Sequence, residues 1–176
     1  FLKALHCKPQ RSIKITLPFK GRDRVGMGYF QVKQFTKEDR NNITAAIRQA
    51  EKQTSGEIRL FLEDKCKGNV LDRAAMVFEK LDMHKTVRRN GVLFYLAIRD
   101  HKFAILGDAG INAVVKQGFW DEIKDTALEY FRKGEYSEGL IKGIGMAAEA
   151  LKQYFPYDER DKNELSDEIV FGQKDT

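Results

Sequence analysis

The sequence predicts an α/β protein, a three-layer α/β/α sandwich around a small mixed β-sheet. Residues 92–98 are an unbroken apolar run rich in β-forming side chains, which is typical of a strand buried on both faces. A polar tetrad at 99–102 interrupts this run before the apolar pattern resumes at 103–106, as in a β-hairpin. A candidate strand at 57–64 precedes the hairpin, and a segment of helical length separates the two. This βαβ order predicts parallel strands joined by a right-handed crossover.

The first predicted elements are a helix and a strand. Thr36 can cap the helix, and Asp39 places negative charge in its first turn. Apolar residues at helical spacing predict its inner face: Ile43, Ile47 and Ala50. Gly56 is predicted to stop the helix. The strand at 57–64 follows, with three aliphatic residues on one face: Ile58, Leu60 and Leu62.

The crossover helix is predicted to begin after Asn69, which can cap it. Its expected buried stripe consists of Leu71, Ala74, Ala75, Phe78 and Leu81. The strands at 57–64 and 91–98 should therefore be parallel, and a strand at 102–107 should pair antiparallel with the second of them.

Three helical stretches are predicted after the hairpin: Ile111 to Lys116, Phe119 to Lys133 and Ser137 to Phe155. Pro156 ends the last of them. Beyond it, the apolar residues 169–171 are expected either to dock on the body of the protein or to pair as an edge strand.

Charge divides the chain into three parts. Residues 1–26 carry seven of the 31 basic residues and one of the 26 acidic ones, which leaves 24 bases against 25 acids in the rest. We therefore expect 1–29 to be a basic leader, disordered or foreign to the natural protein, 30–156 to be a single domain, and 157–176 to be an acidic extension. The near-neutral body gives no indication of nucleic-acid binding.

Several function classes find no support in the sequence. No stretch approaches the ~20 consecutive apolar residues of a membrane span. A phosphate-binding Gly-Lys-Ser/Thr loop, a Gly-x-Ser-x-Gly elbow and a His-Glu-x-x-His metal motif are all absent. The two cysteines, Cys7 and Cys66, suit reduced thiols and a cytoplasmic protein, which we expect to be a monomer.

The predicted topology collects polar residues at the two ends of the sheet strands. The carboxyl end, residues 63–64 and 98–101, is the usual ligand side of open α/β sheets. The amino end consists of residues 55–57, 88–91 and 107–110.

Asp108 and Glu57, at the amino end, are the first candidates for a metal site. Two carboxylates beside glycine loops suit a hard cation such as Ca²⁺ or Mg²⁺, provided that their strands are neighbours. Arg88 and Arg89 at the same rim suit a phosphate, which arginine binds through two hydrogen bonds. Five loop residues are expected to support this site: Gly56, Asn90, Gly91, Gly107 and Gly110. The second choice of metal ligands lies at the carboxyl end: Asp100, Asp64 and Glu63.

A purely structural interpretation stays open at both ends. Asp108 can cap the helix predicted from residue 111, and Glu57 can pair with an arginine. The hairpin tip can be a solvated turn, with His84 and His101 as surface residues rather than metal ligands.

Five short segments occur in a distinctive order. They are Thr54-Ser55-Gly56-Glu57-Ile58, Arg89-Asn90-Gly91-Val92-Leu93, Ala97-Ile98-Arg99-Asp100-His101-Lys102, Gly107-Asp108-Ala109-Gly110-Ile111 and Phe131-Arg132-Lys133-Gly134-Glu135-Tyr136. Together they resemble the TPM domain family, which includes thylakoid-lumen proteins of photosystem II repair and many bacterial proteins. The resemblance covers residues 34–172. The closing segment 154–157 is similar to a cytoplasmic branch found in Bacteroidetes-type bacteria.

The resemblance implies an α/β/α sandwich, Ca²⁺ or Mg²⁺ binding as in some members, and acid phosphatase activity as in plant members. The family's hairpin tip is usually Asp-Asp-Arg, whereas this chain has Arg99-Asp100-His101. We therefore expect a module that binds Ca²⁺ or Mg²⁺, with Asp108 as a ligand, and also a protein partner. A weak metal-assisted phosphomonoesterase is the alternative.

Overall fold

The computed structural model describes residues 35–158, 166 and 168–172, together with the backbone of residues 15–16. The strands of this part are β1 (Ile15–Thr16), β2 (Ile58–Glu63), β3 (Val92–Ala97), β4 (Lys102–Gly107) and β5 (Val170–Phe171). They form one mixed sheet in the order β1-β4-β3-β2-β5. β2 runs parallel to β3 and β5, whereas β4 is antiparallel to β3 and β1.

The helices of the described part are α1 (Lys37–Glu51), α2 (Val70–Lys80), α3 (Ala109–Val114), α4 (Phe119–Phe131) and α5 (Tyr136–Tyr154), with a 3-10 turn at Met83–Lys85. Both predicted caps are confirmed. Thr36 and Asp39 form a reciprocal capping box at α1, and Asn69 accepts the Leu71 amide at 2.9 Å. The prediction that Gly56 stops α1 is wrong, because the helix already ends at Glu51.

The βαβ unit and the hairpin are confirmed. Ile58 pairs with Val92 and Glu63 with Ala97 in the parallel ladder. In the hairpin, the register runs from Val92 opposite Gly107 to Ala97 opposite Lys102. β3 is therefore the central strand between two full-length neighbours, as its continuous apolar run predicts.

Helices cover both faces of this sheet, so the α/β/α sandwich is confirmed. On one face, Ile58, Leu60 and Leu62 pack into a core with α1, α4 and α5. On the other face, Phe61 and Tyr95 pack against α2 and the 3-10 turn. All six residues of β2 and all six of β3 are buried.

The buried stripe of α2 differs from the predicted one. Val70, Ala74 and Val77 are its buried residues, whereas Leu71 and Phe78 are only partly buried. Both sets of apolar residues have helical spacing, and the contact of α2 with the sheet selects the first.

Two arrangements were predicted for residues 169–171, docking on the body or pairing as an edge strand. The edge strand is confirmed, since β5 pairs with β2. Ile15 and Thr16, within the predicted leader, pair with Phe103 and Lys102 of β4. The rest of the leader and most of the acidic extension lie outside the described residues. Their predicted disorder and domain limits stay predictions.

Candidate functional site

At the amino end of the sheet, Arg89 holds the Asp108 carboxylate with two hydrogen bonds. Its Nε donates to Oδ2 at 2.7 Å, and its Nη2 donates to Oδ1 at 2.8 Å. Asp108 is 6% exposed, and its Oδ1 also accepts the Ala109 amide at 2.7 Å, which caps α3. Both carboxylate oxygens therefore have donors, and the guanidinium neutralises the charge that would attract a cation.

A strained turn places Arg89. Its φ of 52° lies in the left-handed region, which is uncommon for residues other than glycine. The Arg89 carbonyl accepts the amides of Gly110 at 2.8 Å and Ile111 at 3.3 Å, so this loop packs directly on α3. A Cβ at Gly110 would lie 2.8 Å from the Arg89 carbonyl oxygen and closer still to that of Arg88. Glycine at 110 thus lets the loop approach until Arg89 meets Asp108.

Glu57 lies at the same end of the sheet but is separated from Asp108 by a strand. The expected proximity depended on their strands being neighbours, and β3 lies between β2 and β4. Two strand spacings correspond to about 10 Å between backbones. Glu57 is 6% exposed, and its carbonyl accepts the Val92 amide at 2.7 Å.

The other amino-end residues connect the loops to one another. Asn90 Nδ2 donates to the Ser55 carbonyl at 3.0 Å, and Arg88 Nη1 donates to Ser55 Oγ at 3.1 Å. Arg88 Nη2 also lies 3.7 Å from Asp158 Oδ2. Asp108 donates its amide to the Gly91 carbonyl at 2.9 Å. Gly56 and Gly107 are the remaining two predicted support residues, and they lie against Leu151 and Trp120 respectively.

At the carboxyl end, Glu63 is the centre of a buried polar cluster. Arg73 of α2 donates Nε to Oε1 at 3.0 Å and Nη2 to Oε2 at 2.7 Å, and the Tyr95 hydroxyl donates to Oε1. Burial, and then hydrogen bonding to Cys66 and Glu63, raises the pKa of Tyr95. Hydrogen bonding to Glu63 raises the pKa of Arg73. Tyr95 therefore keeps its proton and Arg73 keeps its charge. The Arg73 guanidinium balances the negative charge of the Glu63 carboxylate, as Arg89 balances that of Asp108.

Asp64 and Asp100 lie beside this cluster, and they differ from Glu63 and Asp108 in their partners. No cationic side chain of the described residues forms an ion pair with either carboxylate. Asp100 Oδ2 accepts the Cys66 amide at 2.8 Å, and the Asp64 carbonyl accepts the Arg99 amide at 2.8 Å. These bonds hold the loop after β2 against the hairpin tip, with both acids half-buried.

Two further residues shape the hairpin tip. Lys102 Nζ donates to the carbonyls of Cys66 at 2.8 Å and Gly68 at 3.0 Å, which fixes the loop after β2. His101 has a φ of 50°, and its Nδ1 lies 3.3 Å from the Tyr136 hydroxyl. Within the described part of the chain, no group of three or more His, Cys, Asp or Glu side chains is arranged to hold a metal ion.

Comparison with known protein families gives one clear result. Residues 29–150 match the model of the TPM domain. The chain belongs to the TPM domain family. No curated protein matches it.

Two solved structures of bacterial proteins are similar to this TPM domain. The BA42 protein from the psychrophilic bacterium Bizionia argentinensis is 44% identical, with a TM-score of 0.75, over 81% of this chain and 99% of that one. This relative is consistent with the expected Bacteroidetes-type branch. The N-terminal domain of the cg2496 protein from Corynebacterium glutamicum is 13% identical, with a TM-score of 0.55, over 72% of this chain and 84% of that one. At that identity the second likeness shows the fold alone.

The sequence reasoning about this TPM domain missed the partners of Glu63. Tyr95 lies in the middle of an apolar run that predicts strand core, although its hydroxyl reaches a carboxylate. Arg73 is one of several charged residues on α2, and its distinguishing feature is that it lies directly before Ala74, which is fully buried. The sequence does predict the βαβ unit, and with it a parallel pairing of these two strands. A register that brings Glu63 close to Tyr95 was the signal from which this contact could have been predicted.

None of the helices in the described part of the chain combines the length and the apolar character that a membrane span requires.

Proposed function

We propose that this TPM domain is a divalent-cation-binding module, and that the ion binds at the carboxyl end of the sheet, between Asp64 and Asp100. The observation that supports this proposal is that the carboxylates at the two ends of the sheet differ in their ion-pair partners. Asp108 is neutralised by Arg89, whereas Asp64 and Asp100 form no ion pair with a described residue. Ca²⁺ and Mg²⁺ both take oxygen ligands, and Mg²⁺ often binds through one or two carboxylates while keeping several waters.

We expect a weak site. Two carboxylates are few for a cation of this class, and Lys102 already occupies two carbonyl oxygens of the adjoining loop. Sites with so few charged ligands typically bind Ca²⁺ with dissociation constants of about 10⁻⁴ to 10⁻³ M.

An NMR titration with Ca²⁺ and Mg²⁺ tests the proposal on the wild-type chain and on three variants. Asp100→Asn and Asp64→Asn each remove one proposed ligand charge, and the amide oxygen introduced at position 100 can still accept the Cys66 amide. Asp108→Asn is the matched control at the other end of the sheet. The proposal predicts saturable shifts at 64–66 and 99–101 that are lost in the first two variants and retained in the control.

Two results would overturn this assignment. Shifts confined to 107–111 and lost in Asp108→Asn would locate the ion at the amino end, as the sequence first suggested. An absence of saturable shifts up to about 10 mM ion, well above the expected dissociation constant, would exclude a cation module. The phosphomonoesterase alternative is measured on the same samples with a phosphomonoester substrate. Metal-dependent turnover that is lost in Asp100→Asn would establish it.

A further inference from the structure

The C-terminal segment 168–172 supplies the edge strand of the sheet beside β2. β5 has two residues, and it pairs Val170 with Phe61 and Phe171 with Leu62. The Gly172 amide also donates to the Leu62 carbonyl at 2.8 Å. Without this segment, the outer side of the six-residue strand β2 would present unpaired backbone groups, which readily accept another strand.

The space beside β2 restricts which side chains a strand in the place of β5 can carry. Val170 is partly buried and packs against Phe61 and its neighbours, whereas Phe171 is 42% exposed. A Cβ at position 172 would lie 2.6 Å from Glu63 Cβ and 3.0 Å from Glu63 Oε2. Glu63 cannot easily yield, because Arg73 and Tyr95 both hold its carboxylate. The outer side of β2 therefore requires a glycine two residues after the buried apolar side chain.

A groove lies between α1 and this segment, and charged side chains line it. Its volume is about 640 Å³, and its lining includes Arg48 and Lys52 of α1 on one side and Glu168 and Phe171 on the other. The groove thus places two basic side chains near an acidic residue that precedes the strand. It leaves space next to Phe171 that the described part of the chain does not fill.

We propose that the outer side of β2, with the groove along α1, is a docking site for an extended peptide segment of a partner protein. That segment carries an acidic residue, then bulky apolar residues, then a glycine, and it adds parallel to β2. Residues 168–172 occupy the site in the free protein and compete with the partner. Strand addition of this kind takes its affinity from backbone hydrogen bonds and its specificity from pockets for alternate side chains.

The chain's own segment is a displaceable competitor for two reasons. Its strand has only two residues, and one of their two side chains, that of Phe171, is 42% exposed. The segment belongs to the same chain as β2, so it acts at an effective concentration that is on the order of millimolar for a short connection. A partner segment with better contacts in the groove can displace the chain's own segment in spite of this effective concentration, whereas a weakly matched peptide cannot.

The test uses the full chain labelled with ¹⁵N and a synthetic peptide of residues 166–174. Gly172→Val in the chain should release its own segment by collision with Glu63, and Val170→Asp should release it by burying a charge. Each released chain is expected to bind the peptide about tenfold or more tightly than the wild-type chain does, because the tethered competitor is gone. Amide shifts should appear at 61–63 and along α1 at 44–52. A matched peptide with valine in place of glycine should not bind.

Three outcomes would overturn the proposal. The first is a Gly172→Val chain whose amides at 61–63 are unchanged, since the glycine requirement would then be wrong. The second is a released chain, of either variant, that does not bind the peptide at about 1 mM, the effective concentration of the tethered segment that it replaces. The third is equal binding of the glycine and valine peptides, which would show non-specific adhesion rather than strand addition.

Discussion

The Arg89 guanidinium and the Asp108 carboxylate form a two-point ion pair in which the acid is 6% exposed and the arginine side chain 45% exposed. The pair joins the loop before β3 to the start of α3. The positive charge that balances Asp108 is therefore part of the chain, and it reaches the acid from the solvent side.

Arg89→Met should destabilise the protein more than Arg88→Met does. Loss of the Arg89 head removes two of the hydrogen bonds to a buried carboxylate and leaves the one from the Ala109 amide. We expect a cost of about 1–3 kcal/mol, reduced from the fully buried case because Arg89 is half exposed. Arg88 donates to Ser55 Oγ and makes a 3.7 Å contact with Asp158, and these exposed contacts should together contribute less than about 1 kcal/mol. Urea denaturation of both variants measures the difference. Equal losses would show that the ion pair adds no stability beyond a surface contact.

Gly110→Ala and Gly145→Ala should change stability in opposite directions. A methyl group at 110 collides with the carbonyl oxygens of Arg88 and Arg89, and backbone cannot move aside as a side chain can. We expect a loss of about 2 kcal/mol or more. At Gly145, in the middle of α5, a Cβ meets nothing within 4 Å, so alanine should stabilise the helix by about 0.5–1 kcal/mol. Thermal unfolding distinguishes the two; a neutral Gly110→Ala would refute the close approach of this loop to α3.

The Tyr95→Phe variant should lose less stability than the wild-type protein does as the pH rises into the alkaline range. Because the folded protein raises the pKa of Tyr95, it retains the phenolic proton where the unfolded chain, with a pKa of about 10, releases it. This contribution is fully present below about pH 10 and is lost as the pH rises further. The variant should cost about 1–2 kcal/mol at neutral pH through the lost hydrogen bond to Glu63, and less as the pH rises.

Urea denaturation at steps between about pH 8 and about pH 11 measures this convergence. Tyr136, whose pKa burial also raises, titrates in both proteins and so cancels in the comparison. Stability curves that stay parallel throughout would mean that Tyr95 titrates normally in the fold.

Lys102→Met should strengthen cation binding if the ion lies between Asp64 and Asp100. The change removes a positive charge from the carboxyl end and frees the carbonyls of Cys66 and Gly68. An effect of about threefold to tenfold in the dissociation constant corresponds to one unit charge at moderate distance. Lys65→Met, on an exposed part of the same loop, is the control and should change affinity less. Unchanged binding in Lys102→Met would place the ion away from this lysine.

Local sequence signals predicted the elements that depend on neighbours along the chain. The hairpin followed from an apolar run broken by Arg99 to Lys102, and the caps followed from Thr36 and Asn69. Each of these features is determined by residues a few positions apart. Tertiary packing was not needed to select them.

The features that the sequence did not reveal depend on the approach of distant segments. On α2, two sets of apolar residues had helical spacing, and only contact with the sheet selected Val70, Ala74 and Val77. The choice of Arg89 rather than Arg88 as the partner of Asp108 depends on a left-handed residue in the loop. The separation of Glu57 from Asp108 depends on strand order, which places β3 between them.

The strand order also has a consequence for the way the sheet assembles. β3 and β4 are joined by residues 98–101, so their pairing closes a short loop, and hairpins of this kind form in about 1–10 μs. β2 joins β3 only after a crossover through α2, and β5 must find β2 from beyond α5, at a larger entropic cost of closure. We therefore expect a nucleus at the hairpin and growth outward toward β2. As a two-residue edge strand that pairs from beyond α5, β5 would then also detach before β2 separates from β3.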